Sequence, residues 1–172
     1  MAAENSSTEE RITALARRLG EACQRRGRKL AVAESCTAGG VCEAITRVPG
    51  SSGWLDRGFV TYSNEAKVEM LGVAAATLAA HGAVSAQTAG EMADGALRAS
   101  RADTAAAITG IAGPDGGTAE KPVGLVWFAW CVRGGAARVE ERRFQGDRDT
   151  IRRLSVETTL RGLLESLEEA PG

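Results

Sequence analysis

The chain has 172 residues, 44% hydrophobic and 25% charged, with 21 Lys and Arg against 22 Asp and Glu. That length suits one domain burying roughly 70% of its unfolded surface, so neither disulfides nor metals are needed to hold it together. The charge balance leaves no basic excess to grip a phosphate backbone, which argues against a nucleic-acid partner. No apolar run approaches the ~20 residues that cross a bilayer, and the opening MAAENSSTEE has neither the basic nor the apolar region of a secretion signal. A cytoplasmic protein with no membrane partner is expected.

In chain order, residues 1–9 are small and polar and are expected to be flexible, with the domain itself running over 10–168. Ile12, Leu15, Ala16, Leu19 and Cys23 recur at helical spacing over Thr8–Arg26, and Gly27 is the stop. Lys29–Ala33 reads as a short strand, Val41–Arg47 as a helix ended at Pro49-Gly50, and Gly58–Tyr62 as a second strand. Short helices are expected at Asn64–Met70 and Ala74–Ala80, then a longer one over Ala86–Ser100 capped by Ser85. Thr104–Thr109 is a buried strand entering the Gly-rich stretch Gly110–Gly117. Val123–Val132 is the strongest strand signal, with Arg138–Phe144 its hairpin partner across Gly134-Gly135. Asp147 caps a last helix carrying Ile151, Leu154, Leu160, Leu163, Leu164 and Leu167. Interleaved helices and near-continuous apolar strands predict an α/β fold with helices on both faces of the sheet.

Cys23, Cys36, Cys42 and Cys131 make no CxxC pair, and His81 is the only histidine, so the cysteines read as small buried or half-buried side chains and no metal site is expected. Among 21 basic residues only Lys29, Lys67 and Lys121 are lysines. A lysine can shed its proton when desolvated and an arginine effectively cannot. Tyr62, the only tyrosine, stands five residues before Lys67.

Three loops could carry chemistry, because open α/β sheets place ligands beyond the carboxyl ends of their strands. In Ser35-Cys-Thr-Ala-Gly-Gly40 a strand-to-helix turn can present a hydroxyl beside backbone N–H groups, although Ser35 or Thr37 as a plain helix cap is the simpler reading. Lys67 could serve Ser35 as a general base if its pKa fell from ~10.4 to ~7–8, a differential of about 3–5 kcal/mol. Tyr62 could relay a proton or orient either group; the plain alternative for Lys67 is a solvated residue paired with a carboxylate. The Thr109–Thr118 loop lacks the GK[ST] of a P-loop and could bind an anion or merely connect. Arg148, at the opening of the last helix with Arg152 and Arg153 following, could clamp a phosphate or simply sit in solvent. Asp115 and Glu34 could form an acid/base pair, though nothing local forces them together. His81 reads as a helix-end residue, with no G-x-S-x-G elbow to make it part of a triad.

Ala33-Glu-Ser-Cys-Thr37, Gly58–Lys67, His81-Gly-Ala-Val-Ser85, Thr109–Gly117, Lys121-Pro-Val-Gly124 and Gly146-Asp-Arg-Asp149 occur in one order that resembles the CinA carboxy-terminal domain family, and most closely its stand-alone nicotinamide-nucleotide amidases. The resemblance spans roughly residues 10–165. It implies a three-layer α/β/α single domain with a mostly parallel central sheet. It implies hydrolysis of nicotinamide mononucleotide to nicotinic acid mononucleotide and ammonia, with no cofactor. It places Ser35 as nucleophile, Lys67 as base and Tyr62 as the associated tyrosine. Backbone groups around Cys36, Thr37 and Gly39 would hold an oxyanion, and Thr109, Gly110, Gly113 and Arg148 would bind the nucleotide. A homo-oligomer is expected. The family reads Ser-Cys-Thr-Gly-Gly, whereas this chain has Ala38 at the first glycine. If that residue takes a positive φ, Ala costs about 1 kcal/mol or more; if it is helical, Ala is harmless.

Overall fold

The computed structural model describes residues 2–169, with side chains from residue 8 onward. The expectation of flexibility over residues 1–9 therefore lies, up to residue 7, outside the described side chains. Five strands form one sheet in the order β2-β1-β3-β4-β5, with β1 Leu30–Glu34, β2 Leu55–Val60, β3 Thr104–Gly110, β4 Leu125–Val132 and β5 Arg138–Arg143. β2, β1 and β3 are parallel, and β4 runs antiparallel to both β3 and β5. Four of the five strands thus point one way. The helices are α1 Ala2–Arg26, α2 Gly40–Thr46, α3 Asn64–Leu71, α4 Ala75–His81, α5 Ala86–Arg98 and α6 Arg148–Glu169.

Side-chain alternation sorts the sheet into two faces. Leu30, Val32, Ala106, Ile108, Val126, Phe128 and Trp130 join α1, α2 and α6 in one core. Ala31, Ala33, Ala105, Ala107, Ala129 and Cys131 join α3 and α5 in the other. The second face is lined almost wholly by alanine, and α5 answers with Ala89, Ala93 and Ala96, so helix and sheet approach closely. On the first face α6 buries Ile151, Leu160, Leu163 and Leu167, each contributing about 1.5–3 kcal/mol. A Cβ at Gly162 would meet the Trp130 ring at 2.1 Å, so glycine there lets α6 lie against the sheet.

The two edge strands depart from the expectation of continuous apolar strands. β5 is charged and largely exposed, and β2 begins at Leu55 rather than Gly58. Its first residues, Leu55-Asp-Arg57, show no strand periodicity because an edge is solvated on its open side, and such charges blunt edge-to-edge association. Thr61 and Tyr62 lie past its end. Ser85 caps α5 through the Thr88 N–H, and Asp147 accepts the Thr150 N–H at 2.8 Å at the start of α6, both as the sequence predicts. Among the described residues no helix is long and apolar enough to cross a membrane.

Candidate active site

Parallel pairing in register brings the carboxyl ends of β2, β1 and β3 together. Glu34 is opposite Val60 on one side and Ile108 on the other. One residue later the chains are still tied: Thr61 N–H donates to the Glu34 carbonyl at 2.9 Å, and Ser35 N–H to that of Ile108 at 3.0 Å. Ser35 and Thr61 therefore leave β1 and β2 at the level of Thr109 near the end of β3. Ser63 then caps α3 by accepting the Ala66 N–H, and one turn later Lys67 points back beneath the strand ends.

Lys67 is fully buried. Its Nζ lies 3.2 Å from Ser35 Oγ and donates to the Thr61 carbonyl at 2.7 Å. Burial pushes the ammonium below its ordinary pKa, opposed by the neighbouring Cys36. The alternative of a solvated Lys67 paired with a carboxylate is thereby overturned. A neutral amine keeps one N–H on Thr61 and offers its lone pair to the Ser35 hydroxyl. Gly95 of α5 secures this helix, since a Cβ there would lie 2.1 Å from the Leu71 carbonyl oxygen.

The loop that carries Ser35 is organised by a residue that sequence reasoning considered only as an acid/base partner of Asp115. Glu34 is fully buried, and its carboxylate accepts from Thr37 Oγ1 at 2.6 Å, Gly39 N at 3.0 Å, Val41 N at 3.1 Å and Cys42 N at 3.0 Å. It takes up the first N–H groups of α2, whose cap residue Gly39 offers no side chain. Neither Ser35 nor Thr37 caps the helix, which leaves the Ser35 hydroxyl facing Lys67. From the opposite side Arg152 of α6 donates to the carbonyls of Cys36 and Thr37 at 3.1 and 3.0 Å. Ala38 takes φ 48°, so the first of the two conditions read from the sequence holds: an L-residue occupies the left-handed region here.

Ser35, Cys36, Tyr62, Lys67, Thr109, Gly110, Gly113 and Arg148 line one cleft of about 290 Å³, together with Ala83, Val84, Ile111, Ala112, Asp115 and Gly116. Thr37 and Gly39, expected among the substrate contacts, are not in this lining. Their hydroxyl and N–H are committed to Glu34. Tyr62 is 60% exposed and stands at the mouth, where its hydroxyl accepts from Arg148 at 3.2 Å rather than meeting Ser35 or Lys67. Arg148 also donates to the Gly113 carbonyl at 2.7 Å, tying α6 to the Gly-rich loop. Thr109 Oγ1 donates to the Ala83 carbonyl at 2.8 Å. Burial pushes the Cys36 thiol up to about 12, which removes it as a rival nucleophile. All four cysteines are free thiols, three buried and one half-buried, as the sequence predicts. His81 is exposed at the end of α4, outside the cleft.

The model of the CinA C-terminal domain family matches residues 12–167. The chain belongs to the CinA C-terminal domain family. Two relatives in it are nicotinamide-nucleotide amidohydrolases PncC. That of Escherichia coli is 51% identical over 156 residues, covering 91% of this chain and 94% of the relative. That of Pseudomonas putida is 51% identical over 156 residues, covering 90% and 96%. The crystal structure of a competence/damage inducible protein from Agrobacterium tumefaciens superposes with a TM-score of 0.89 at 49% identity, covering 92% of this chain and 96% of that one. The three-layer fold implied by the resemblance to CinA domains is thus the observed one.

Proposed function

We propose that this chain is a nicotinamide-nucleotide amidohydrolase that converts nicotinamide mononucleotide and water to nicotinic acid mononucleotide and ammonia through an acyl-Ser35 intermediate. The observation that carries the mechanism is a buried lysine, depressed in pKa, 3.2 Å from a serine hydroxyl at the floor of a cleft. The names of two relatives about half identical along nearly the whole chain support the substrate.

Neutral Lys67 takes the Ser35 proton as Oγ attacks the carboxamide carbon. The oxyanion is held by the loop's Cys36 N–H, on the residue after the nucleophile that lines the cleft. The N–H groups of Gly39, Val41 and Cys42 go to Glu34, and those of Ala38 and Gly40 to the Ser35 and Thr37 carbonyls. Among the described residues the Cys36 and Thr37 amides donate to no protein oxygen. Cys36 follows Ser35 directly and lines the cleft, whereas Thr37 is fully buried outside it. As the C–N bond breaks, protonated Lys67 returns its proton to the departing nitrogen, which leaves as ammonia. Water, deprotonated by Lys67, then attacks the ester, and Ser35 Oγ recovers the proton. Arg148 and the Thr109–Gly113 segment hold the nucleotide beyond the reacting amide, with Tyr62 at the entrance. A cytoplasmic, homo-oligomeric enzyme is part of the same proposal.

The rival reading is a silent nucleotide-binding module, for which Ala38 is the mark. Against it, the Ala38 N–H still reaches the Ser35 carbonyl at 3.1 Å, so the substitution costs conformational energy without opening the loop. Ammonia release from nicotinamide mononucleotide is measured for metal-free wild type, Ser35→Ala and Lys67→Ala. Robust turnover in wild type, lowered at least about a thousandfold in both variants, is expected. A folded wild type without turnover contradicts the amidase, and turnover surviving in Ser35→Ala contradicts the covalent route.

A further inference from the structure

The loop that carries Ser35 is gripped by charges of opposite sign at opposite ends of its peptide groups. Glu34 collects N–H groups from one side, and Arg152 feeds carbonyls from the other. Where the Arg152 bonds go is informative. Nη2 donates to the Thr37 carbonyl at 3.0 Å. That carbonyl belongs to the same peptide group as the Ala38 N–H, which donates to the Ser35 carbonyl at 3.1 Å. The Ser35 carbonyl in turn shares a peptide group with the Cys36 N–H, in the wall of the cleft next to the nucleophile. Nε donates to the Cys36 carbonyl at 3.1 Å, whose peptide group ends in the Thr37 N–H.

A peptide whose carbonyl accepts from a cation becomes a stronger N–H donor, and successive hydrogen bonds polarise one another. The Cys36 amide, on the residue that lines the cleft, is thus wired to the guanidinium through two peptide groups, and the second bond of the fork holds the intervening Cys36–Thr37 peptide in place. We propose that Arg152 is a positioning residue for the oxyanion-binding amide: it fixes the Cys36 N–H and strengthens it as a donor without touching substrate. Arg152 is absent from the cleft lining, whereas Arg148, one turn earlier on the same helix, is in it. The two arginines of α6 divide the work, one toward ligand and one toward loop. A lysine could not replace Arg152 fully, because only the planar fork serves two adjacent carbonyls at once.

This inference rests on the acyl-Ser35 mechanism proposed above. The test compares wild type, Arg152→Ala and Arg152→Lys by steady-state hydrolysis of nicotinamide mononucleotide and by the rate of Ser35 labelling with a fluorophosphonate, whose addition also develops an oxyanion. Arg152→Ala is expected to lower kcat and the labelling rate about 10- to 100-fold, less than or equal to the loss of a direct oxyanion donor, with KM within about threefold. Arg152→Lys is expected at an intermediate rate, and added methylguanidinium should restore part of the activity of Arg152→Ala, which a merely structural role does not predict. The acid limb of the pH profile should not move. A raised KM at unchanged kcat overturns the proposal by making Arg152 a substrate contact, and so do unchanged kcat and labelling rate. Should Arg152→Ala fail to fold, Arg152→Lys carries the same comparison alone. A wild type that labels at Ser35 but hydrolyses no nicotinamide mononucleotide overturns the substrate assignment, and the labelling rates still decide the role of Arg152.

Discussion

The inner and outer walls of the cleft are built differently. At the inner wall every group is over-determined: Glu34 and Lys67 are fully buried, Glu34 accepts four hydrogen bonds and Lys67 makes two contacts across 6 and 32 residues of sequence. At the outer wall Tyr62 is mostly exposed, Arg148 holds one carbonyl and one hydroxyl, and Asp115 and Gly116 are open to solvent. In the proposed mechanism the difference separates two jobs. Groups that move protons need a dry, fixed setting that shifts pKa, whereas groups that admit a nucleotide must exchange their partners for the ligand. Inner-wall changes should therefore fall on kcat and outer-wall changes on KM.

The largest expected effect is at Lys67→Met. Turnover should be lost by at least about a thousandfold while stability is unchanged or raised by about 1 kcal/mol, because an apolar chain of similar length removes a buried amine. Activity assays paired with denaturant unfolding check both halves, and a destabilised Lys67→Met would show that the amine holds the fold. Next is Arg148→Ala, expected to raise KM for nicotinamide mononucleotide about tenfold with a smaller change in kcat, the cost of roughly one charge-assisted hydrogen bond. A kcat loss exceeding the KM change would move Arg148 to the inner wall. Tyr62→Phe should change kcat/KM only about threefold, since the hydroxyl meets Arg148 alone among the cleft side chains. The smallest effect is Ala38→Gly, which relieves a left-handed alanine and should raise stability by up to about 1 kcal/mol at unchanged kcat. Thermal unfolding reads it.

The two walls also differ in how far the sequence disclosed them. The central strands were legible because β1, β3 and β4 are buried on both faces and read as apolar runs. β2 was misplaced by three residues because its amino-terminal half is a solvated edge with no periodicity. Ser35, Lys67 and Tyr62 stood out by residue type and by resemblance, yet which of them touch depends on the register Glu34↔Val60, a long-range fact with no local signal. Thr37 and Gly39 were expected at the ligand through their backbone N–H groups, and which loop amides are free cannot be read locally, because the Gly39 N–H is taken by the buried Glu34. Arg152 stood beside Arg148 as a phosphate-clamp candidate, and its hold on the loop was hidden because its partners are main-chain carbonyls, which every residue carries. A glutamate ending the apolar run Leu30-Ala-Val-Ala-Glu34 was the one available hint that a buried carboxylate organises the turn.

Lys67 also gives the wall a pH signature. Its folded pKa is depressed, so between that value and the unfolded one near ~10.4 the unfolded chain binds the extra proton, and stability should rise with pH across that window. In the proposed mechanism the same depression sets the acid limb of activity, because only the neutral amine can take the Ser35 proton. The most direct measurement is kcat/KM for nicotinamide mononucleotide as a function of pH, in wild type and in Arg148→Ala. The rate should rise with pH through a single group titrating below the ordinary lysine value, at the same position in both proteins. An acid limb near ~10.4, or one that shifts when Arg148 is removed, would contradict a neutral Lys67 as the base that activates Ser35.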